Sequence, residues 1–264
     1  MSDLSDSVDT KIVPNKYTRF KDASWFETIQ NQELFIGGAG GISSWLALAI
    51  ASAGCENITI VDFDTVEEVN LAGQFFKKSQ INTSKVRAVY DNIIDFCDLS
   101  INMSNSKIEK DTVLPFTHIL TGFDKMLPRE LTFKQWCKTV DTICLTEKEK
   151  RNCIYMDGRL TAEQIQIFTI IGTDEIAKEE YLTNHIFSDN TIEDAPCTFK
   201  QTRFLAMKIA GIMTEIYTNY LANISTEVYG PKQVPFFFQT YTPLMNTVKI
   251  NKLIKNDDSS TRTT

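Results

Sequence analysis

Two stretches of this chain hold residues whose types and spacing suit chemistry on a phosphate. The first is Phe35-Ile36-Gly37-Gly38-Ala39-Gly40-Gly41-Ile42-Ser43-Ser44, a set of glycines between an apolar run and a helical pattern. With no side chains at Gly38, Gly40 and Gly41, the backbone can approach a phosphate closely. The first turn of the following helix then adds unpaired N–H groups and the positive end of its dipole. Ser43 stands where a dinucleotide-binding turn has its third glycine. The second stretch, Val61 to Gln74, carries Asp62, Asp64, Glu67, Asn70 and Gln74. Asp62 closes an apolar run, where a carboxylate can accept both ribose hydroxyls of a nucleotide seated on the turn. That geometry serves ATP as well as NAD. The remaining polar residues exceed what a dinucleotide requires and point to a triphosphate with a second, peptide-like substrate. Each reading has a plain alternative: a glycine turn can serve only to pack helix on sheet, and Asp62 can cap the segment after it.

The elements that must position these residues alternate. Glu33–Gly37, Ile58–Asp62, Thr117–Thr121 and Cys153–Met156 read as short buried strands. Between them, Ile42–Ala53, Thr83–Cys97 and the region Leu131–Thr139 read as helices, the second with Val86, Val89, Ile93, Ile94 and Phe96 facing inward. Such alternation predicts an α/β fold with a doubly wound, mostly parallel sheet and helices on both faces. The second half changes character. Gln164–Ile171 reads as an antiparallel strand, and Thr198–Leu221 as a long helix with Leu205, Ile209, Ile212, Met213, Ile216 and Tyr220 on one stripe. Val234–Gln239 and Thr247–Ile250 read as a hairpin around Thr242-Pro243, an antiparallel C-terminal extension. No repeat or interior linker interrupts residues 16–251, so one domain is expected, between polar tails at 1–15 and 252–264.

Composition narrows the classes. The chain has 264 residues, 42% hydrophobic, with a net charge of −7, which gives no basic field for nucleic acid. No apolar run approaches the roughly 20 residues that span a bilayer, and the N-terminus has no signal-peptide core, so a cytoplasmic protein is expected. Six cysteines (Cys55, Cys97, Cys137, Cys144, Cys153, Cys197) are scattered without the paired Cys-x-x-Cys spacing of a structural zinc site, so no zinc and mostly buried thiols are expected.

In order and spacing, Gly38-Ala39-Gly40-Gly41-Ile42-Ser43 and Asp62–Gln74 resemble the ubiquitin-activating-enzyme-like adenylyltransferases, the ThiF/MoeB/HesA superfamily with its Rossmann-like sheet. Tyr17-Thr18-Arg19 resembles the family's N-terminal Tyr-x-Arg, Lys85 its phosphate-contacting lysine, and Asp124 with Arg129 its magnesium-binding aspartate and companion arginine. Met156-Asp157-Gly158-Arg159 and Ala195-Pro196-Cys197 resemble variants found in phages and mobile elements. The resemblance implies that ATP and Mg²⁺ bind and that a carboxylate becomes an acyl-adenylate with release of pyrophosphate. The carboxylate would come from the C-terminus of a ubiquitin-like protein, a sulfur carrier or a peptide. It implies that Gly38, Gly40, Gly41, Asp62, Asp64, Asn70, Gln74 and Lys85 hold the nucleotide. Asp124 would hold Mg²⁺, and Arg19 would reach the site from the partner of a homodimer. Cys197, at the start of the long helix, is the candidate for a later thioester or persulfide. One departure stands out: the family's arginine before the glutamine is Gly73 here, with Lys77 and Lys78 as possible substitutes. Two other readings follow from these residues: a catalytically inactive scaffold or regulatory partner, favoured by Gly73, and an NAD(P)-dependent oxidoreductase, which explains only the turn and Asp62.

Overall fold

The computed structural model describes residues 15–160, 164–189, 202–225, 237–242 and 247–251. The expected tails, Cys197 and the Thr242-Pro243 turn beyond Thr242 lie outside them. Parallel strands β1 (Glu33–Gly37), β2 (Asn57–Val61), β3 (Asn102–Ser104), β4 (His118–Thr121) and β5 (Ile154–Leu160) are followed by antiparallel β6 (Ile165–Ile171), β7 (Phe238–Thr242) and β8 (Thr247–Asn251). They form one eight-stranded sheet in the order β3-β2-β1-β4-β5-β6-β7-β8. The chain leaves β1 toward β2 on one side and later returns to place β4 on the other. The β1/β4 boundary is therefore a topological switch point, where an open α/β sheet has a crevice at its carboxyl edge.

Continuous apolar strands are covered on both faces, as parallel sheets require. On one face Leu34, Ile36, Ile58, Ile60, Leu120 and Met156 pack under α2 (Gly41–Ser52), α3 (Lys85–Cys97) and α7 (Arg203–Ser225). On the other, Phe35, Ile119, Tyr155 and Phe168 pack under Phe133, Trp136 and Val140 of α4 (Met126–Ile143) and Tyr181 of α6 (Glu175–Asn184). Short helices α1 (Phe26–Gln30) and α5 (Glu147–Arg151) complete the described elements.

Several expectations need correction. On α3 the buried stripe is Val86, Val89, Ile93 and Cys97; Ile94 and Phe96 fall on the outer side, where the Phe96 ring meets Phe75 at 5.4 Å. Helix α4 begins earlier than Leu131 because Pro128 lies in its first turn, where a missing N–H costs nothing. The N-cap is Lys125, and the Asp189 carboxylate accepts from Met126 N–H at 2.8 Å. Strand β5 runs on past Met156 through Asp157, Gly158 and Arg159, whose charges hide a strand from a hydropathy reading. Strand β3 and helices α1, α5 and α6 were not foreseen; each is short or weakly patterned.

His118 ties β4 to α7 and to the turn before β5. Its Nε2 donates to the Asn152 carbonyl (2.7 Å), and its Nδ1 accepts from the Tyr217 hydroxyl on α7 (2.8 Å). Burial lowers its pKa from 6.5 to about 4. The unfolded chain therefore binds the extra proton first as pH falls, and folding stability is lost between pH 6.5 and 4. The loss attributable to this group is about 3 kcal/mol. Urea unfolding at pH 7 and pH 4 should show that decrement in the native protein and a shallower slope in His118→Gln; equal slopes would refute the assignment.

Candidate functional site

The carboxyl edge of the sheet at the switch point collects most of the residues singled out from sequence. Strand β1 ends at Gly37, and the chain turns at Gly38, whose φ of +84° lies in the left-handed region. The turn is tied on both sides: Gly38 N–H donates to the Val61 carbonyl (2.8 Å) and Gly122 N–H to the Gly37 carbonyl (3.0 Å). A Cβ on Gly37 would stand 2.6 Å from the Phe123 ring, so the loop after β4 lies directly over the turn. Above Gly40, by contrast, a Cβ would meet nothing, and this residue begins α2 with no side-chain cap. The first-turn N–H groups of a well-packed helix are thus left to the crevice. Ser43 turns its hydroxyl back to the Gly37 carbonyl (2.9 Å) and packs against Gly122, where an added Cβ would lie 2.7 Å from its oxygen. Room that a third glycine would give in the turn is supplied by Gly122, which sequence reading missed.

Asp62 joins the two stretches. One carboxylate oxygen accepts from Ala39 N–H at 2.6 Å and the other from Asp64 N–H at 2.8 Å. Both ionised oxygens retain a further lone pair for a hydroxyl donor. Beyond it, the acidic loop pairs with the entry to α3 through Val66 N–H to Thr83 O and Lys85 N–H to Asp64 O, both 2.8 Å. The same register brings the Lys85 ammonium, 8% exposed, to within 2.8 Å of the half-exposed Asp64 carboxylate. Asn70 spends its carbonyl oxygen on Glu67 N–H (2.9 Å) in a capping box. Gln74 places its Oε1 in a buried position with no hydrogen-bond partner among the described residues.

Gly73 has φ −116°, which any residue adopts, so the backbone does not demand glycine there. Its carbonyl accepts from the Trp45 indole at 3.1 Å. Of the expected substitutes, Lys77 is ion-paired with Asp95 on α3, and Lys78 is exposed. A cation that sequence reading missed arrives from far along the chain: the Arg203 guanidinium, at the start of α7, donates to the Leu71 carbonyl of the same loop.

Asp124 follows Phe123 at the mouth of the crevice, exposed, with no hydrogen bond or ion pair to the described residues. Arg129 lies buried on Asp157, with further bonds to the Gly158 and Phe123 carbonyls and no ion pair to Asp124. Arg19 is not brought to the crevice by its own chain. It is exposed, in a segment that Lys16 ties to the Cys97 carbonyl at the far end of α3. Among the described residues no group of three or more His, Cys, Asp or Glu side chains converges to hold a metal.

A doubly wound α/β sheet with a glycine turn at its switch point, a clamped acidic loop and a lysine beside them defines a class of protein built to seat a ligand at that edge. The chain belongs to the ThiF family, which matches it over residues 14–259. It is similar to SUMO-activating enzyme subunit 2 of Dictyostelium discoideum, 35% identical over 74 residues, covering 28% of this chain and 11% of the relative. The NEDD8-activating enzyme E1 catalytic subunit of Caenorhabditis elegans is 29% identical over 122 residues, covering 44% and 28%. The chain thus spans under a third of the length of these relatives. In fold it resembles the crystal structure of PaaA (TM-score 0.65, 15% identity, 94% of this chain and 87% of that one). It also resembles E. coli MccB determined with ATP (TM-score 0.60, 13% identity, 90% and 71%). No helix among the described residues is long and apolar enough to cross a membrane.

Asp157 is the most heavily engaged group at this edge, bonded to Arg129, Arg159 (2.7 Å), Tyr181 (2.8 Å) and Thr121 (3.1 Å) with no exposure. Removing its charge leaves two guanidinium groups facing each other out of water. Asp157→Asn is therefore expected to lower unfolding free energy by about 3–5 kcal/mol, read as a fall in the urea midpoint. A loss within experimental error would show the cluster to be solvated.

Proposed function

We propose that the chain activates a carboxylate as an acyl-adenylate, using ATP. The observation that carries this reading is the Lys85–Asp64 pair, 2.8 Å apart, beside an uncapped helix N-terminus, with Asp124 exposed on the loop after β4 and in no ion pair among the described residues. A dinucleotide needs no such cation; a triphosphate does. Family membership and fold neighbours such as E. coli MccB, solved with ATP and, in another structure, with AMPCPP and MccA, support it.

In this reading the Gly40–Gly41 backbone and the α2 terminus receive phosphate oxygens, Gly38 gives the close turn, and Asp62 accepts from the ribose. Lys85 neutralises phosphate charge, with its ammonium aimed by Asp64. Asn70 and Gln74 offer their side-chain amide N–H groups to orient the phosphates and the incoming carboxylate. A carboxylate oxygen attacks the α-phosphorus; the bond to the β-bridging oxygen breaks, and its electrons leave with pyrophosphate. The protein's work is alignment of two anions and charge neutralisation. Mg²⁺ fits one free carboxylate plus phosphate oxygens, so Asp124 alone among the described residues would hold it, where it would offset charge on the leaving pyrophosphate. Arg19 would reach the crevice only from a second copy of the chain. A sedimentation mass of one chain would remove it from the site. Cys197 keeps the proposed role of a later acyl or sulfur acceptor, tested by its alkylation: unimpaired product transfer would dismiss it.

Gly73 favours a second reading, an inactive scaffold that keeps the fold and lacks turnover. One titration separates the readings. ATP–Mg²⁺ at about 100 times its dissociation constant adds roughly 2.7 kcal/mol, a rise of about 2–4 °C per kcal/mol for a chain of this size. The rise should be absent with NAD, and Asp124→Ala should abolish its dependence on Mg²⁺. Lys85→Ala should weaken ATP by roughly 10- to 150-fold, the worth of about 1.5–3 kcal/mol for a charged hydrogen bond. No response to ATP would leave the scaffold, and a response to NAD alone would overturn both.

A further inference from the structure

Two guanidinium groups and a single carboxylate are buried together at the end of β5, and the exposed Asp124 carboxylate acts on Arg129 from outside. Arg129 is 4% exposed and Asp157 fully buried, and Arg159 keeps only 11% of its side chain open. Two guanidinium groups share one carboxylate. Among the described residues no other acid pairs with either arginine. Arg129 is otherwise held by carbonyls, and its Nε is buried with no partner. Burial first, and then the neighbouring Arg159 charge, push its pKa down to about 10 against the opposing pull of Tyr181, Tyr155 and Asp124. Arg159 lies over the Phe168 and Tyr181 rings, 4.5 and 5.6 Å from their centroids. Its Nε points to Asp157, and among the described residues the outer edge of the fork has only a 3.5 Å contact to the Tyr181 hydroxyl. A fixed, stacked guanidinium with open donors beside a second cation is a receptor for a carboxylate.

Its position selects which carboxylate. Gly37 is level with Thr121, and Thr121 with Asp157, so Arg159 stands two residues past the level of the glycine turn at the same carboxyl edge, its side chain lying back over Phe168 and Tyr181. Two strand spacings separate β1 from β5, about 10 Å, which is about three residues of extended chain. That is too far for the group reacting at the turn and the right distance for a side chain upstream of it. We propose that the Arg129–Asp157–Arg159 cluster is a second anion site, which takes an acidic side chain about three residues before the terminal carboxylate of a polypeptide substrate. The assignment of that side chain to a substrate rests on the adenylation reading.

The test titrates ¹⁵N-labelled full-length protein with N-acetyl-glutamate α-amide, which carries one side-chain carboxylate, and with N-acetyl-glutamine α-amide as the neutral control. The arginine Nε–H and the Gly158–Leu160 amide resonances are followed. A saturable shift with the glutamate probe alone is expected, weakened at least tenfold in Arg159→Gln and partly kept in Arg159→Lys. No saturable shift, or equal shifts with both probes, overturns the site, and the native protein decides this without any variant. ATP–Mg²⁺ stabilisation is measured on the same sample. ATP binding without probe binding defeats this inference alone; probe binding without ATP binding defeats the nucleotide reading and the substrate assignment while leaving the anion site.

Discussion

The carboxylate of Asp62 is the interaction on which the crevice depends. It reaches back from the end of β2 to hold the Ala39 amide of the glycine turn and forward to hold the Asp64 amide of the acidic loop. Buried N–H groups must find acceptors, and here one ionised group satisfies a donor on each side. The turn and the loop, each also bonded to the sheet, are thereby fixed to each other. With Asp64 placed, its side chain aims Lys85, and its carbonyl starts the register that runs into α3. An acid expected to meet a nucleotide also builds the place where one would sit.

Around this clamp the structure accepts local costs that a purely structural sheet would avoid. Gly38 adopts a left-handed turn, α2 begins without a side-chain cap, and Gln74 keeps a buried oxygen unpartnered. On the neighbouring strand, Asp157 carries two arginines where one would balance it. All lie at the carboxyl edge of the parallel strands. At the opposite edge the buried His118 is satisfied by Tyr217 and the Asn152 carbonyl. Unmet polar groups gathered beside a glycine turn are what a ligand-receiving edge looks like before the ligand arrives.

Strong local signals were legible. The apolar runs of β1, β2 and β4, the glycine turn and the stripes of α3 and α7 each follow from a handful of neighbouring residues, and the strand–helix alternation leaves few topologies. The reading faltered where tertiary pairing outweighs local pattern. Asp157 and Arg159 sit in the buried strand β5 because they pair with each other and with α4. Pro128 resembles a break yet opens α4. Ile94 and Phe96 look like core but lie one position off the buried stripe, Phe96 against Phe75.

By itself the sequence determined the class of sheet, the turn that meets its switch point and the identity of the charged residues beside it, because backbone conformation and hydrophobic period are local properties. Only the tertiary structure decided what each charge faces. Arg129 is 28 residues from Asp157, and Arg203 is 132 from Leu71. Partnerships at such range depend on the packing of α4 and α7 against opposite faces of the sheet, and no spacing along the chain encodes them. The same packing leaves Arg19 far from the crevice of its own chain and Asp124 exposed at the mouth, without an ion pair among the described residues. The chemistry was written locally, and its electrostatic surroundings were set by the fold.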